Sequence, residues 1–187
     1  MSTELPMRCA RQSGATLTTS LLMLLVLTVL GLTGMQMSRM EERMAGNTRD
    51  INMAFQGAEA ALRNGEALLR KQSTRPLDCP NSPCDSPIPV WTAGVLGEVV
   101  NRPPSWWQAG AGNAIPFADA QGQQSMNGQS ADPTFFIEHL GFVRTDGGVE
   151  MGLDAPSGRD FYQVTAQSSG ASGSANIILQ STYARKF

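Results

Sequence analysis

Charge is scarce in this 187-residue sequence: charged residues make up 16% of it, and none occurs between Ala15 and Ser38. The 14 basic and 16 acidic residues leave a net charge of −2 and form no basic stripe, so nucleic-acid binding has little electrostatic support. There is one histidine, His139, set between Glu138 and Leu140 in an apolar run. A lone imidazole in that setting is more often structural than catalytic. The sequence contains no G-x-S-x-G elbow, no glycine-rich phosphate loop opening a helix, and no H-E-x-x-H zinc motif. Asp146, Glu150, Asp154 and Asp160 fall in a loop-rich stretch without visible partners, and their spacing fits no EF-hand template. The chain therefore reads as a non-enzyme without cofactor or metal.

Against that scarcity stands one long apolar run. Ala15–Ser38 holds 24 residues without a charge. As a helix rising about 1.5 Å per residue it would measure roughly 36 Å, enough to cross a hydrocarbon core of about 30 Å. The apolar region of a secretory signal is only about 7–15 residues long and ends in a small-residue cleavage site. This run is longer, and TGMQMSRMEERM follows it with no such site. A plain anchor, with Arg8 and Arg11 kept on the cytoplasmic side, satisfies the positive-inside tendency. Gly14, directly before the run and after a short polar leader, suggests another arrangement. A cut after Gly14 would leave Ala15 as a new N-terminus at the membrane face.

The three cysteines divide in the same way. Cys9 lies in the leader, and Cys79 and Cys84 remain in DCPNSPCD. Pro80, Asn81 and Pro83 make a turn that can bring the two sulfurs together, and an oxidising compartment would preserve the bridge. The competing reading, half of a metal site, needs two further ligands and finds only His139. Removing Glu4, Arg8 and Arg11 with the leader leaves 12 basic and 15 acidic residues, a net charge of −3. With Gly 19 and Pro 11, this loop-rich, weakly charged composition suits an extracytoplasmic domain that makes protein contacts.

Beyond Arg39 the spacing of Ile51, Phe55, Ala58, Leu62 and Leu69 is that of one helical face, with Arg49, Asp50, Gln56, Glu59, Arg63 and Glu66 on the other. Joined to the apolar run, it predicts a single helix from Ala15 to near Lys71. Gly31 and Gly34 admit either a close helix approach or simple tolerance of glycine in a membrane segment, and Gly46 and Asn47 mark a candidate bend. The stretch 73–89 is turn-like. Val95–Val100 is a candidate short strand, and Phe135–Val143, Asp160–Gln167 and Ala175–Ala184 read as longer ones. Between Val100 and Phe135 lies a run of small and polar residues whose only aromatic pair is Trp106 and Trp107, a core cap or an exposed contact anchor. One long helix followed by about four antiparallel strands is an α+β layering.

RQSG|ATLTTSLLMLLVLTVLG resembles a class III prepilin leader and its helix, and MEERMAGNTRDINMAFQGAEAALRNGE (Met40–Glu66) resembles the PilX family of type IV pilus minor pilins. The resemblance covers roughly residues 8–70. It implies a pilin-like fold, a long N-terminal helix, half transmembrane, on an antiparallel sheet. It also implies cleavage between Gly14 and Ala15 by a prepilin peptidase and methylation of Ala15. The implied partners are the inner membrane, other minor pilins, the major pilin and, as a further candidate, a tip adhesin, with no direct nucleic-acid contact. The family's usual glutamate at the fifth mature position falls on Thr19. Trp106, Trp107 and Phe55 become candidate partner contacts.

The organisation expected is a leader (1–14), a transmembrane assembly helix (15–38), its amphipathic continuation (39–72) and a head domain (73–187). The function implied is initiation of pilus assembly from a position at or near the tip. A minor pseudopilin of a type II secretion system would show the same leader. An uncleaved membrane-tethered enzyme or binding domain would instead retain residues 1–14 and require a pocket with converging polar groups.

Overall fold

The computed structural model describes residues 14–81, 84, 88–99, 101–108, 114–118, 122, 124–144 and 158–187. Asp146, Glu150 and Asp154, Val100 of the expected strand, and Arg8, Cys9 and Arg11 of the expected leader lie outside them. The chain divides into two compact units, residues 1–46 and 47–187.

In the first unit the described residues are helical from Ala15 onward. They belong to α1, which spans Ala15–Lys71 (57 residues) without interruption at Gly31, Gly34, Gly46 or Asn47. Its apolar side chains lie open on all sides, with Leu17 70%, Leu24 65% and Leu30 61% exposed.

The second unit packs the C-terminal part of α1 on one face of a six-stranded sheet. The strands are β1 (Asp78–Cys79), β2 (Val90–Thr92), β3 (Ile115–Pro116), β4 (Thr134–Arg144), β5 (Gly158–Ser169) and β6 (Asn176–Arg185), and the short helix α2 (Pro104–Trp107) precedes β3. The sheet order is β1-β2-β4-β5-β6, with β3 pairing β4 on the side that β2 also uses. The α+β architecture and the three long antiparallel strands agree with expectation, with register Ile137↔Val164 and Val164↔Ser181. The sheet is mixed, however, because β1 runs parallel to β2 and β2 parallel to β4. The returns that parallel pairing requires are the stretches 80–89 and 93–133. Val95–Val99 forms turns instead of the expected strand, with Val95 N–H bonded to Thr92 O at 3.2 Å and Gly97 N–H to Gly94 O at 3.2 Å. The neighbouring β2 takes the sheet position.

The face that α1 buries is also different from the one its large apolar residues suggest. Ala54, Gly57, Ala58, Ala61, Asn64, Gly65, Leu68 and Leu69 are buried, whereas Ile51 is 42% and Phe55 46% exposed. Small residues win because they let the helix lie close to the strands. A Cβ on Gly65 would stand 2.7 Å from Val164 Cγ1 and 3.0 Å from Phe135, and one on Gly57 would collide with Gln129 and Ser168. Beneath this stripe lie Val90, Phe135, Ile137, Tyr162, Val164 and Ala166.

The opposite face of the sheet carries a second cluster of Cys79, Trp91, Leu96, Val99, Trp107 and Phe136, with Trp106 and Ile178 at its margin. The unit is thus three layers: helix, sheet, and a cover of irregular chain and α2.

Gly65→Val is therefore expected to destabilise the second unit by about 1–3 kcal/mol through overpacking, despite the poor helix propensity of glycine. Gly46→Ala meets nothing within 4 Å and is expected to be neutral or stabilising. Urea unfolding followed by tryptophan fluorescence checks both, and equal midpoints for the two variants would contradict the close-packing account.

Candidate functional site

The N-terminal point is simple in geometry. Gly14 has φ of 115°, a conformation that L side chains rarely adopt, and α1 starts at the next residue, Ala15. The backbone thus leaves helical geometry at the residue directly before the apolar helix. Glycine alone adopts that conformation without strain.

Within the apolar segment each described hydroxyl bond closes on the helix itself. Thr19 Oγ1 donates to Ala15 O and Thr16 O, both at 3.0 Å. Thr18 donates to Ala15 O at 2.9 Å, Ser20 to Leu17 O at 2.9 Å, Thr28 to Leu25 O at 2.8 Å and Thr33 to Leu30 O at 2.9 Å. A hydroxyl satisfied in this way carries no further demand into hydrocarbon. Thr19 accordingly needs no partner, whereas a glutamate there would.

In the second unit Asp50 acts as a latch, a role the sequence reading missed in placing it on the solvated face. The Ser172 backbone N–H donates to Asp50 Oδ1 at 2.9 Å and the Ser172 hydroxyl to Oδ2 at 2.5 Å. This fastens the β5–β6 turn to α1, and these two bonds hold the carboxyl below its ordinary value. Two more ties follow along the helix. Ser181 Oγ donates to Glu66 Oε1 at 2.8 Å, and the Arg185 guanidinium donates to the carbonyls of Leu69 and Gln72. Arg185 thereby adds a bond to the Leu69 carbonyl, which also accepts from the Gln72 N–H at 3.2 Å, and takes the Gln72 carbonyl just past the end of α1. The turn before β6, its middle and its end are thus each fastened to the helix.

His139 is 7% exposed and lies between two carboxylates. Its Nδ1 is 2.9 Å from Asp78 Oδ2 and its Nε2 3.0 Å from Asp160 Oδ1. Arg75 Nη2 donates to Asp78 Oδ2 at 3.1 Å, and its Nε stands 3.6 Å from Asp160 Oδ1. A protonated ring donates to both carboxylates. A neutral ring donates from Nε2 and accepts at Nδ1 from Arg75 Nη2, 3.2 Å away. In either state the group ties the segment after α1, β1, β4 and β5 together, and Asp160 has the partner its sequence context did not show. Tyr162 packs against the imidazole with ring centroids 5.1 Å apart and planes tilted by 41°, and burial pushes its phenol up to about 12. Burial likewise raises Glu138 on the second face.

Cys79 and Cys84 form a disulfide with Cα atoms 5.7 Å apart. The bridge follows directly on Asp78 and so holds β1 and its carboxylate in place. No group of three or more metal-ligating side chains occurs among the described residues.

Of the candidate contacts, Trp107 is 2% exposed and packs against Phe136 with centroids 5.5 Å apart, so it caps the core and offers no anchor. Trp106 lies edge-on to Trp107 at 5.1 Å and is half-buried, with the Arg102 guanidinium 5.7 Å over its ring. Phe55 is the candidate left open. The structure does not bring Phe55 and the tryptophans together, since they belong to the helix layer and the opposite cover.

Comparison with known families decides the kinship. The family description PilX N-terminal matches residues 13–63, and Type IV pilus assembly protein PilX, C-terminal, matches residues 45–185. The chain belongs to the PilX family. No curated protein and no solved structure matches it. Membership makes it a minor pilin of the type IV pilus, in a family whose role is structural and which associates with other pilus components. The apolar part of α1 suits the single-pass anchor of such a pilin.

The Asp50 bonds are stronger when the carboxyl is charged. Its contribution is therefore present above the ordinary value of 3.8 and is lost as pH falls through its lowered folded value. Urea midpoints of the wild-type PilX chain are expected to drop between neutral and acidic pH more than those of Asp50→Asn. Parallel pH curves for the two proteins would show that the latch contributes nothing.

Proposed function

We propose that this minor pilin is processed between Gly14 and Ala15, that Ala15 is methylated, and that it joins other minor pilins in a complex that starts fibre assembly and stays near the tip. The single observation behind the tip position is Thr19. In the family the carboxylate at that position pairs with the N-terminal amine of a neighbouring subunit inside the helix bundle. An unpaired charge is costly there, so each shaft subunit must offer a partner. Thr19 returns its hydroxyl proton to its own helix and offers none. A subunit with no other subunit beyond it has no amine to neutralise, and that is the situation at the end of the fibre.

The assembly surface has two parts. Leu21–Leu32 is apolar around the helix and exposed, and in the second unit Ile51 and Phe55 are exposed beside the small residues that α1 turns to the sheet. Neighbouring pilins would cover both. The head, with Trp106 at its cover, would face other minor pilins or an adhesin. The disulfide is consistent with maturation in the oxidising periplasm before extraction into the fibre.

Intact mass of the chain from its native membrane is expected to correspond to a protein starting at N-methylated Ala15, with two hydrogens missing for the Cys79–Cys84 bridge. A chain still starting at Met1 would overturn the processing proposal. Thr19→Glu is expected to redistribute the protein from one end to the whole fibre in immunogold labelling. Unchanged labelling would remove Thr19 as the determinant of position.

A further inference from the structure

The sequence contains two Asn-Gly dipeptides, Asn64–Gly65 and Asn127–Gly128, and the fold treats them differently. An asparagine followed by glycine can lose its side-chain amide without an enzyme. The main-chain nitrogen of the glycine attacks the side-chain carbonyl carbon, and the missing Cβ leaves that approach open. The reaction needs a free amide side chain, a free glycine N–H and a backbone able to bring the two together.

Asn64 meets none of these needs. It sits inside α1, where the helix ladder holds the Gly65 N–H and fixes its direction. Its side chain donates from Nδ2 to Phe117 O at 3.1 Å, and the residue is 4% exposed. Asn127 meets all three. It lies exposed in a turn, where no helix or strand ladder restrains the pair, and Gly128 has φ of 95°. Neither the Asn127 side chain nor the Gly128 N–H has a hydrogen-bond partner among the described residues. The neighbours on either side are held. Met126 N–H donates to Asp132 Oδ1 at 3.1 Å, Gln129 Nε2 to Met53 O on α1 at 3.1 Å, and Ser130 N–H to Gly170 O in the β5–β6 turn at 3.0 Å. Asn127 and Gly128 are thus the untied link in a segment that joins α1 to the β5–β6 turn.

We propose that Asn127 is a spontaneous modification site whose products, aspartate and isoaspartate, loosen this segment. The Gly128 nitrogen, its proton lost to solvent base, bonds to Asn127 Cγ, the Cγ–Nδ2 bond breaks, and the nitrogen leaves as ammonia. Water then opens the five-membered imide. Opening at the side-chain carbonyl gives aspartate. Opening at the main-chain carbonyl gives isoaspartate, which carries an extra CH₂ in the main chain. Either product places a carboxylate one residue from the N–H that Asp132 holds. The lengthened chain of isoaspartate also displaces Gln129 and Ser130 from their bonds to Met53 and Gly170. The step uses only this chain and water, and it is independent of leader processing and of the tip position.

The test ages the full chain in lauryldimethylamine-oxide micelles, for days in mildly alkaline buffer at body temperature. Its peptides are then mapped by mass spectrometry, with fragmentation that separates aspartate from isoaspartate. Asn127 is expected to show the mass gain of replacing NH₂ by OH. Asn64, which must wait for the core to open, is expected to react about tenfold or more slowly. Asn127→Gln, whose longer side chain cannot close the five-membered ring, supplies the control. The aged wild type is expected to exchange the Ser130 N–H for deuterium faster than fresh protein, and aged Asn127→Gln no faster than fresh. The proposal is overturned if Asn127 keeps its amide in the folded chain, or if Asn64 reacts as fast. It is equally overturned if ageing leaves Ser130 exchange unchanged or speeds it as much in Asn127→Gln.

Discussion

One helix in this chain must satisfy two unlike surroundings, and its side-chain sizes change to suit each. Through Ala15–Ser38 the surface is apolar on every side, and the only polar side-chain atoms are hydroxyls, amide and sulfur, several of them bonded back to the helix. From Ala54 onward the demand is the reverse, because one narrow stripe must approach a sheet closely enough for β-strand side chains to touch helix backbone. Alanine and glycine at 54, 57, 58, 61 and 65 provide that approach, and Leu68 and Leu69 fill the wider space near the end of the helix. Every later element depends on it, since β4 and β5 bury Phe135, Ile137, Tyr162 and Val164 against that stripe.

A sheet covered on one face would leave Trp91 and Phe136 in water. The chain meets this need with an irregular cover, and irregular chain has few backbone bonds of its own, so it is anchored by bulk. Trp106 and Trp107 interlock edge-on above Phe136, and Leu96 and Val99 fill in beside them. The disulfide and the Arg75–Asp78–His139–Asp160 group do the corresponding work at the sheet edge. β1 has only two residues, too few to hold itself in register by ladder bonds, and its two side chains are a salt-bridged carboxylate and a bridged cysteine. The polar chemistry of the head is therefore directed largely inward at holding short elements in place, in keeping with a family whose role is structural.

What could be read from the sequence follows from element length. α1 was expected from Ala15 to near Lys71 and occupies that span, and the three long strands stand within two residues of their expected ends. Elements of two or three residues have no period to detect, which is why β1, β2 and β3 were hidden in turn-rich stretches and the sheet's parallel edge with them. Val95–Val100 has strand composition, but Gly94 and Gly97 adopt positive φ and fold its described part, Val95–Val99, into turns. The inward face of α1 was misjudged for a different reason: hydrophobic periodicity ranks residues by size, whereas close helix–sheet approach selects for smallness. Asp50 and Arg185 were illegible because their partners, Ser172 and the Leu69 and Gln72 carbonyls, lie more than a hundred residues away.

That misjudged face bears on assembly. Because small residues serve the core, Ile51 and Phe55 are not needed by the fold, yet they stand 42% and 46% exposed on α1. Scattered exposed apolar residues are ordinary on a soluble monomer. Here they share a helix with eight fully lipid-compatible leucines, Leu17 to Leu32, whose exposure is untenable in water. Within the proposed assembly, neighbouring helices would cover the leucines of the apolar segment and, separately, Phe55. One turn beyond Phe55 the exposed surface of α1 becomes charged, with Glu59 and Arg63 paired to each other.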